Sequence, residues 1–365
     1  MIIDLIVGAR PNFIKISELT KSLDKQIKTK SGLNYRLVHT GQHYNSSMSK
    51  NFFRDLEIKM PDINLKCGSG SQADQTGRIM QKYEKLLKKK PCKLCIVVGD
   101  VNSTMACAIA AKKLNIKVAH IEGGLRSHDM SMPEEINRII TDSITDYFFT
   151  TTQNANKNLI KEGHSKNKIF FVGNLMIDTL IANMSKLNKS KILDKINVKK
   201  KQYLVMTIHR PQNTDKEIIL FNLIEKIHKY LPNTFIIFPM HPRIQKYKKK
   251  LENKFKKLIC TEPQSYLDFI YLIKNSKAVI TDSGGITEEA SVMSVPCLTL
   301  RSNTERPETI IRGTNVLVGN DEVKIRKSIK KIINGKWKQY KHIKNWDGKT
   351  SDKIVKILKH FSTKI

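Results

Sequence analysis

No apolar run in this 365-residue chain approaches the roughly 18 residues that a membrane-spanning helix needs. The stretch Met1-Ile2-Ile3-Asp4-Leu5-Ile6-Val7 runs into Gly8 and reads as a first strand rather than a signal peptide. Together these absences set the expectation of a soluble, cytoplasmic protein without a membrane partner. Cysteine is scarce, six residues in all, which argues against a disulfide framework in a chain of this size and compartment. Cys92 and Cys95 do form a C-x-x-C. However, Cys95 opens the apolar run Cys95-Ile96-Val97-Val98, and no second Cys or His pair has zinc-finger spacing. Burial in a strand is therefore expected there, not zinc or redox chemistry. Heptads, short-period repeats and low-complexity linkers are also missing.

Acidic residues are outnumbered: 33 Asp and Glu face 65 Lys and Arg, a net charge of +32. Such a balance raises the question of nucleic-acid binding. The excess is mostly lysine in short runs, at residues 88–90, 199–201 and 248–250. No aromatic-interleaved basic motif accompanies it. Solvated lysine faces account for the charge better, so nucleic acid is not an expected partner, although a positive field would help to attract an anionic substrate.

What is present is enough apolar residue, 40%, to build cores for two domains of ordinary size. Strand-like runs fall at 2–8, 36–40, 95–98, 117–121 and 147–151, then at 169–173, 203–208, 234–239, 258–261, 278–281 and 296–300. Helical periodicity fills segments such as 102–114, 134–146 and 215–230. The alternation predicts an α/β fold of parallel sheets covered by helices. A lysine-rich stretch between Asn174 and Lys201 marks a boundary, giving domains at 1–175 and 176–349, with helix 350–365 packing back on the first. Ligands of such folds bind at the C-terminal ends of strands, here in a cleft between the domains.

The densest signal is Thr281-Asp282-Ser283-Gly284-Gly285-Ile286-Thr287-Glu288-Glu289-Ala290, directly after the apolar run Ala278-Val279-Ile280. A strand ends, a small-residue turn follows and a helix begins, which presents free N–H groups and a positive helix end to an anion. Glycine lets a phosphate approach the backbone closely. A glutamate in the first turn could face a ribose. Downstream, Arg301-Ser302-Asn303-Thr304-Glu305-Arg306-Pro307-Glu308 supplies two guanidiniums suited to phosphate. A nucleotide-diphosphate site is the better reading of the pair.

Other strand ends carry chemistry too. Gly8-Ala9-Arg10-Pro11-Asn12-Phe13-Ile14-Lys15 puts two cations at the edge of the first strand. Thr40-Gly41-Gln42-His43 leaves its histidine open, as a ligand contact or a loop residue. Val98-Gly99-Asp100 and His120-Ile121-Glu122-Gly123-Gly124-Leu125-Arg126 would bring Asp100 and Glu122 together from adjacent strands. Met132-Pro133-Glu134-Glu135-Ile136-Asn137-Arg138 then opens a helix, where a glutamate either complements the dipole or joins the other carboxylates. Converging carboxylates serve acid–base chemistry or hold a metal. The surrounding cations and the lack of clustered histidines favour the former. Thr207-Ile208-His209-Arg210-Pro211-Gln212-Asn213 places His209 at a strand end, and Met240-His241-Pro242 adds a second histidine.

In this order, these motifs resemble the non-hydrolysing UDP-N-acetylglucosamine 2-epimerase family over almost the whole chain, from Gly8-Ala9-Arg10-Pro11 to Trp346-Asp347-Gly348-Lys349. The resemblance implies two Rossmann-like domains facing a central cleft, of the glycosyltransferase-B type. It implies interconversion of UDP-N-acetylglucosamine and UDP-N-acetylmannosamine: anti elimination of UDP to a 2-acetamidoglucal, then re-addition with inverted C2. No cofactor or metal is implied. It also implies a homodimer and a place in surface polysaccharide synthesis. By position, Asp100, Glu122, Glu134 and His209 match the family's catalytic residues. Arg10, Lys15, Ser283, Gly285, Glu289 and Arg306 match substrate contacts, Ser283, Gly285 and Arg306 for phosphate and Glu289 for ribose. Gln42, His43, Arg138, Arg210, His241 and Gly284 complete the expected binding set, with Arg126 a further candidate.

The chain departs from the family pattern twice. Well-known bacterial members have an Arg-Glu pair after the His-Arg, in the neighbourhood of a regulatory second substrate site. Pro211-Gln212 stands here instead, so the resemblance leaves activation by substrate open. The loop from Glu122 to Glu134 is also shorter than in some members. The alternatives are a hydrolysing epimerase that releases free N-acetylmannosamine, and an epimerase of a 2,3-diacetamido or deoxy UDP-sugar. A basic nucleic-acid-binding protein is the reading from another class.

Overall fold

The computed structural model describes residues 1–28, 32–42 and 52–362. Two compact units emerge: Met1–Ala182 with Lys344–Ile365, and Asn183–Ile343. The first carries a seven-stranded sheet of β1 (Ile2–Val7), β2 (Asn34–His39), β3 (Ile63–Asn64), β4 (Leu94–Val98), β5 (Lys117–Ile121), β6 (Tyr147–Thr150) and β7 (Ile169–Phe171). Its order is β3-β2-β1-β4-β5-β6-β7, and every pairing is parallel. The second carries β8 (Tyr203–Thr207), β9 (Phe235–Pro239), β10 (Leu258–Thr261), β11 (Ala278–Thr281), β12 (Cys297–Thr299) and β13 (Asn315–Leu317). Their order is β10-β9-β8-β11-β12-β13, again all parallel.

Helices on both faces explain why the central strands are apolar along their whole length instead of alternating. Leu94-Cys95-Ile96-Val97-Val98 is buried at every position. Cys92 and Cys95 are both buried thiols in this unit's core, and burial pushes the Cys92 thiol up to about 12, which keeps it protonated and unreactive. The second core gathers Leu204, Met206, Ile208, Ile236, Phe238 and Ile280 around its sheet.

Each sheet reverses its winding once, between β1 and β4 in the first unit and between β8 and β11 in the second. At such a reversal the loops leaving neighbouring strands part to opposite sides and open a crevice at their C-terminal ends. Gly8 and Gly99 follow β1 and β4; His209 and Asp282 lie just beyond β8 and β11. The topology thus puts the sequence's charged motifs at the two switch points.

The chain changes unit a few residues from the expected 175 and 349. Helix Leu175–Asn183 lies in the first unit up to Ala182, where Thr179 Oγ1 meets Ser17 Oγ at 2.9 Å. On the return, Asn345 donates to the Phe171 carbonyl at 3.1 Å and the Trp346 indole to the Thr151 carbonyl at 3.2 Å. Helix Thr350–Ser362 begins with the N–H groups of Thr350 and Ser351 on the Asp178 carboxylate, at 3.1 and 2.7 Å. Such a carboxylate satisfies orphan donors and suits the positive helix end. Among the described residues, no helix is long and apolar enough to cross a membrane.

Candidate functional site

In the first unit, the ends of β1 and β4 are stitched together by Asn12. Its Oδ1 accepts from the N–H of Gly8 and of Ala9, both at 3.1 Å, and its Nδ2 donates to the Val98 carbonyl at 3.0 Å. One helical turn on, Lys15 reaches Glu122 with Nζ 2.7 Å from Oε2, both side chains being at least nine-tenths buried. Glu122 takes the left-handed conformation at φ 72°. A residue with a Cβ pays about 1–2 kcal/mol for that, and such strain concentrates at working sites. Next to Glu122, a Cβ on Gly124 would sit 2.4 Å from the Ala155 carbonyl oxygen, so this turn requires glycine.

Asp100 continues from β4 and pairs with Arg138, Nη1 to Oδ2 2.5 Å. The guanidinium is 2% exposed and also holds Glu135, Nε to Oε2 2.8 Å. Glu135 in turn accepts from the N–H of Ser127 at 3.0 Å and of His128 at 2.8 Å. Burial pushes its carboxyl up, but the Ser127 and His128 N–H groups and Arg138 outweigh that and hold it below the usual range. Glu135 thus anchors the loop, while its neighbour Glu134 stays half-buried in the first turn of helix Pro133–Ser143. Lys15 and Arg138, expected as substrate contacts, are here the cation partners of Glu122 and Asp100.

Behind these turns lies a pair that the sequence reading did not single out. His120 and Asp142 are fully buried, with Nδ1 2.6 Å from Oδ1. The Nε2 of His120 faces the Gly99 carbonyl at 2.8 Å. Asp142 Oδ2 also takes the Gly124 N–H at 2.9 Å and Arg126 Nη1 at 2.7 Å. Burial raises the Asp142 carboxyl, yet His120, Arg126 and Gly124 together hold it below its usual range. One carboxylate therefore ties both turns, after β4 through His120 and after β5 directly, to one helix. Arg126, weighed above as a contact, is engaged there and with Glu162.

Of the other expected residues in this unit, Arg10 lies over the Phe52 ring at 5.2 Å, and burial lowers its basicity while Asp55 opposes the shift. Gln42 is buried and accepts from Ser103 Oγ at 2.8 Å. His43 lies outside the described residues.

In the second unit, Ser283 precedes helix Gly284–Val292 and occupies its N-cap, its own N–H on Thr281 Oγ1 at 3.0 Å. Gly284 and Gly285 form the first turn, and a Cβ on Gly284 would meet Glu305 Oε1 at 2.4 Å. Farther along the helix, Glu289 is buried with Oε1 2.9 Å from the Tyr266 hydroxyl, and burial, aided by Glu288, pushes its carboxyl up to about 8. A carboxyl of that kind is protonated at neutral pH and can donate a hydrogen bond. Arg306 is 5% exposed and bonds Glu288 through Nε. Arg301 Nη2 lies 2.7 Å from Glu305. Arg301 and Glu305 thus flank Gly284 at the helix start, whereas Arg306 meets the same helix one turn farther on, at Glu288.

His209 and Arg210 follow β8. Asp282, fully buried, accepts the N–H of His209 at 3.1 Å and of Arg210 at 3.0 Å, and lies 2.8 Å from His209 Nδ1. The Arg210 Nε donates to the Asp282 carbonyl at 3.0 Å. His241 accepts the Arg243 N–H through Nδ1 at 3.3 Å, and its ring centroid is 6.4 Å from that of His209. Among the described residues, no group of three or more His, Cys, Asp or Glu is arranged to hold a metal ion.

Two parallel α/β units, each with charged side chains built into its switch point, define a two-domain protein of the Rossmann-like, glycosyltransferase-B class. The sequence profile of UDP-N-acetylglucosamine 2-epimerase matches residues 25–359. A UDP-N-acetylglucosamine 2-epimerase of Methanococcus maripaludis is 43% identical, over 98% of this chain and 98% of that protein. A UDP-2,3-diacetamido-2,3-dideoxy-D-glucuronate 2-epimerase of Pseudomonas aeruginosa is 39% identical, over 86% of this chain and 87% of that protein. The crystal structure of Methanocaldococcus jannaschii UDP-GlcNAc 2-epimerase in complex with UDP-GlcNAc and UDP superimposes with a TM-score of 0.88 at 40% identity, covering 99% of this chain and all of that one. The chain belongs to the UDP-N-acetylglucosamine 2-epimerase family.

Proposed function

We propose that the protein is a non-hydrolysing epimerase that interconverts UDP-N-acetylglucosamine and UDP-N-acetylmannosamine. In the forward direction, a carboxylate takes the C2 proton as the C1–O bond breaks. The electron pair closes a C1=C2 double bond and UDP leaves with the oxygen. UDP oxygen then adds back to C1, and a proton arrives at C2 from the opposite face. The C2–H bond is weakly acidic, so this route demands a placed base and a stabilised leaving group.

The observation that carries the proposal is the pair of carboxylates at neighbouring strand ends. Glu122 and Asp100 each have a largely buried cation, Lys15 and Arg138, and both lie on turns fixed by Asp142. Asp100, Glu122 and Glu134 are assigned the proton transfers and His209 a supporting proton contact. Ser283, Gly284, Gly285 and Arg306 are assigned the diphosphate, and Arg10 and Arg210 its further charge. Glu289, protonated, would donate to a ribose hydroxyl. Gln42, His43 and His241 remain assigned to the sugar and nucleotide surroundings. The homodimeric state, the cytoplasmic setting and the place in polysaccharide synthesis belong to the same proposal.

A second reading concerns the sugar alone. At 39% identity, the relative named for UDP-2,3-diacetamido-2,3-dideoxy-D-glucuronate supports a C3-acetamido substrate nearly as well. Incubation with either UDP-sugar, followed by anion-exchange chromatography, separates the possibilities. The proposal expects UDP-N-acetylmannosamine at equilibrium with UDP-N-acetylglucosamine. Free N-acetylmannosamine and UDP in equal amounts would replace it with the hydrolysing reaction.

A further inference from the structure

His209 stands just past β8 with its side chain 45% exposed, yet its Nδ1 lies 2.8 Å from the Oδ1 of a fully buried carboxylate. That carboxylate, Asp282, leaves the neighbouring strand β11, which pairs with β8 in register up to Thr281 opposite Thr207. Everything the carboxylate faces donates. Its Oδ2 takes the N–H of Arg210 at 3.0 Å and Asn213 Nδ2 at 3.0 Å, and both oxygens share the His209 N–H. Burial pushes the Asp282 carboxyl up, but His209, Asn213 and Arg210 outweigh it and hold the group below its usual range. An ionised carboxylate can only accept. The ring nitrogen facing it must therefore carry a proton, and the other nitrogen becomes the one available to a ligand.

We propose that Asp282 is a positioning residue that locks His209 in the Nδ1–H form, so that Nε2 is the atom that meets the UDP-sugar. The identity of that substrate rests on the epimerase reading; the ring's tautomer does not. The same carboxylate fixes the backbone of His209 and Arg210, so ring plane and proton are set together. Because the chain turns from Asp282 directly into Ser283 and the helix start, the histidine is held in register with the assigned diphosphate site.

Asp282→Asn tests this without changing volume. Its amide oxygen keeps the bonds from Arg210 and Asn213 only by taking the place of Oδ2. The amide NH2 then faces His209 Nδ1 and drives the ring proton to Nε2. With 15N-histidine labelling, at a pH of about 8 and with the His209 resonances assigned by their loss in His209→Gln, the wild type should show Nδ1–H and Asp282→Asn should show Nε2–H. Turnover should fall on the order of 100-fold or more, the lower range of a lost proton-transfer partner. UDP affinity by calorimetry should stay within about threefold, because the anion-binding turn is unchanged.

An Nε2–H ring in the wild type would overturn the proposal without any variant having to fold. So would a switched tautomer with undiminished kcat. A wild type with the Nδ1–H ring and no turnover of any UDP-sugar would instead overturn the epimerase reading, while still supporting Asp282 as the group that fixes the ring.

Discussion

Replacing Asp142 with Asn should loosen the first unit without changing the volume of its buried side chain. The wild-type carboxylate is fully buried and accepts from His120 Nδ1, Arg126 Nη1 and the Gly124 N–H. Both ring nitrogens of His120 face polar partners, Asp142 and the Gly99 carbonyl, so the carboxylate holds one side of a fully buried ring. Removing the carboxylate's charge takes a buried anion from the Arg126 guanidinium, and breaking such a buried pair costs about 3–5 kcal/mol. Arg126 keeps Glu162 as a partner at 2.5 Å, which puts the expectation near the lower bound, about 3 kcal/mol. For a unit of about 200 residues this is a fall in Tm of roughly 6–12 °C, readable by calorimetry. The pH dependence follows from the depressed carboxyl. Its contribution is fully present above the ordinary Asp value of 3.8 and is lost as pH falls through the lower folded value. The gap between wild type and variant should therefore close as pH falls below 3.8 towards the lower folded value. A Tm within about 2 °C of wild type at pH 7 would refute the reasoning, because it would mean that the buried Asp142 charge contributes almost nothing.

Other expectations follow from the same geometry. Asp100→Asn and Glu122→Gln should each lower kcat by about 100-fold or more with the fold intact by circular dichroism, and near-normal rates in both would remove the acid–base assignment. Lys15→Met should destabilise the first unit by roughly 3 kcal/mol in urea titration, because Glu122 is 3% exposed and loses a 2.7 Å cation; an unchanged midpoint would show that the pair contributes nothing. Arg306→Ala should weaken UDP binding about tenfold or more by calorimetry, and equal affinity would take Arg306 out of the diphosphate site. Burial holds Glu289 up at about 8 and Glu308 at about 7, both above the ordinary 4.5. Their protonated forms favour the folded state, an effect complete below 4.5 and lost as pH rises through 7 and 8. The second unit should therefore lose about 1.4 kcal/mol per group per pH unit across that window, and Glu289→Gln should flatten the profile. A profile that is the same in wild type and variant would argue against a protonated Glu289.

Much of the fold was legible because parallel strands buried on both faces write themselves as apolar runs, Cys95-Ile96-Val97-Val98 being the plainest. β3 escaped for the converse reason: two residues long, it has no run to see and is a strand only by pairing at a sheet edge, while the short edge strand β13 was passed over although Val316-Leu317-Val318 is apolar. The strand-end motifs were visible as residue types, but their partners were not. Lys15 was legible as a cation near a helix start, suited to a phosphate or an anionic transition state, but its pairing with a Glu 107 positions away in sequence was not. Glu134 and Glu135 were indistinguishable in the first helical turn; only the backbone of Ser127 and His128 separates an anchored carboxylate from one half-exposed. Asp282 and His120 were quoted inside motifs without a role. Each acts through a neighbouring strand, and no spacing in the chain announces that.

The central claim is that the C2 proton of a UDP-sugar is removed and returned to the opposite face. Proton NMR of the purified protein with UDP-N-acetylglucosamine in heavy water tests it most directly. The account predicts loss of the C2 proton signal as deuterium enters, with UDP-N-acetylmannosamine growing to a fixed ratio and no free sugar accumulating. An N-acetylmannosamine product that retains its C2 proton would contradict it, and so would a substrate spectrum unchanged both for UDP-N-acetylglucosamine and for its 2,3-diacetamido counterpart.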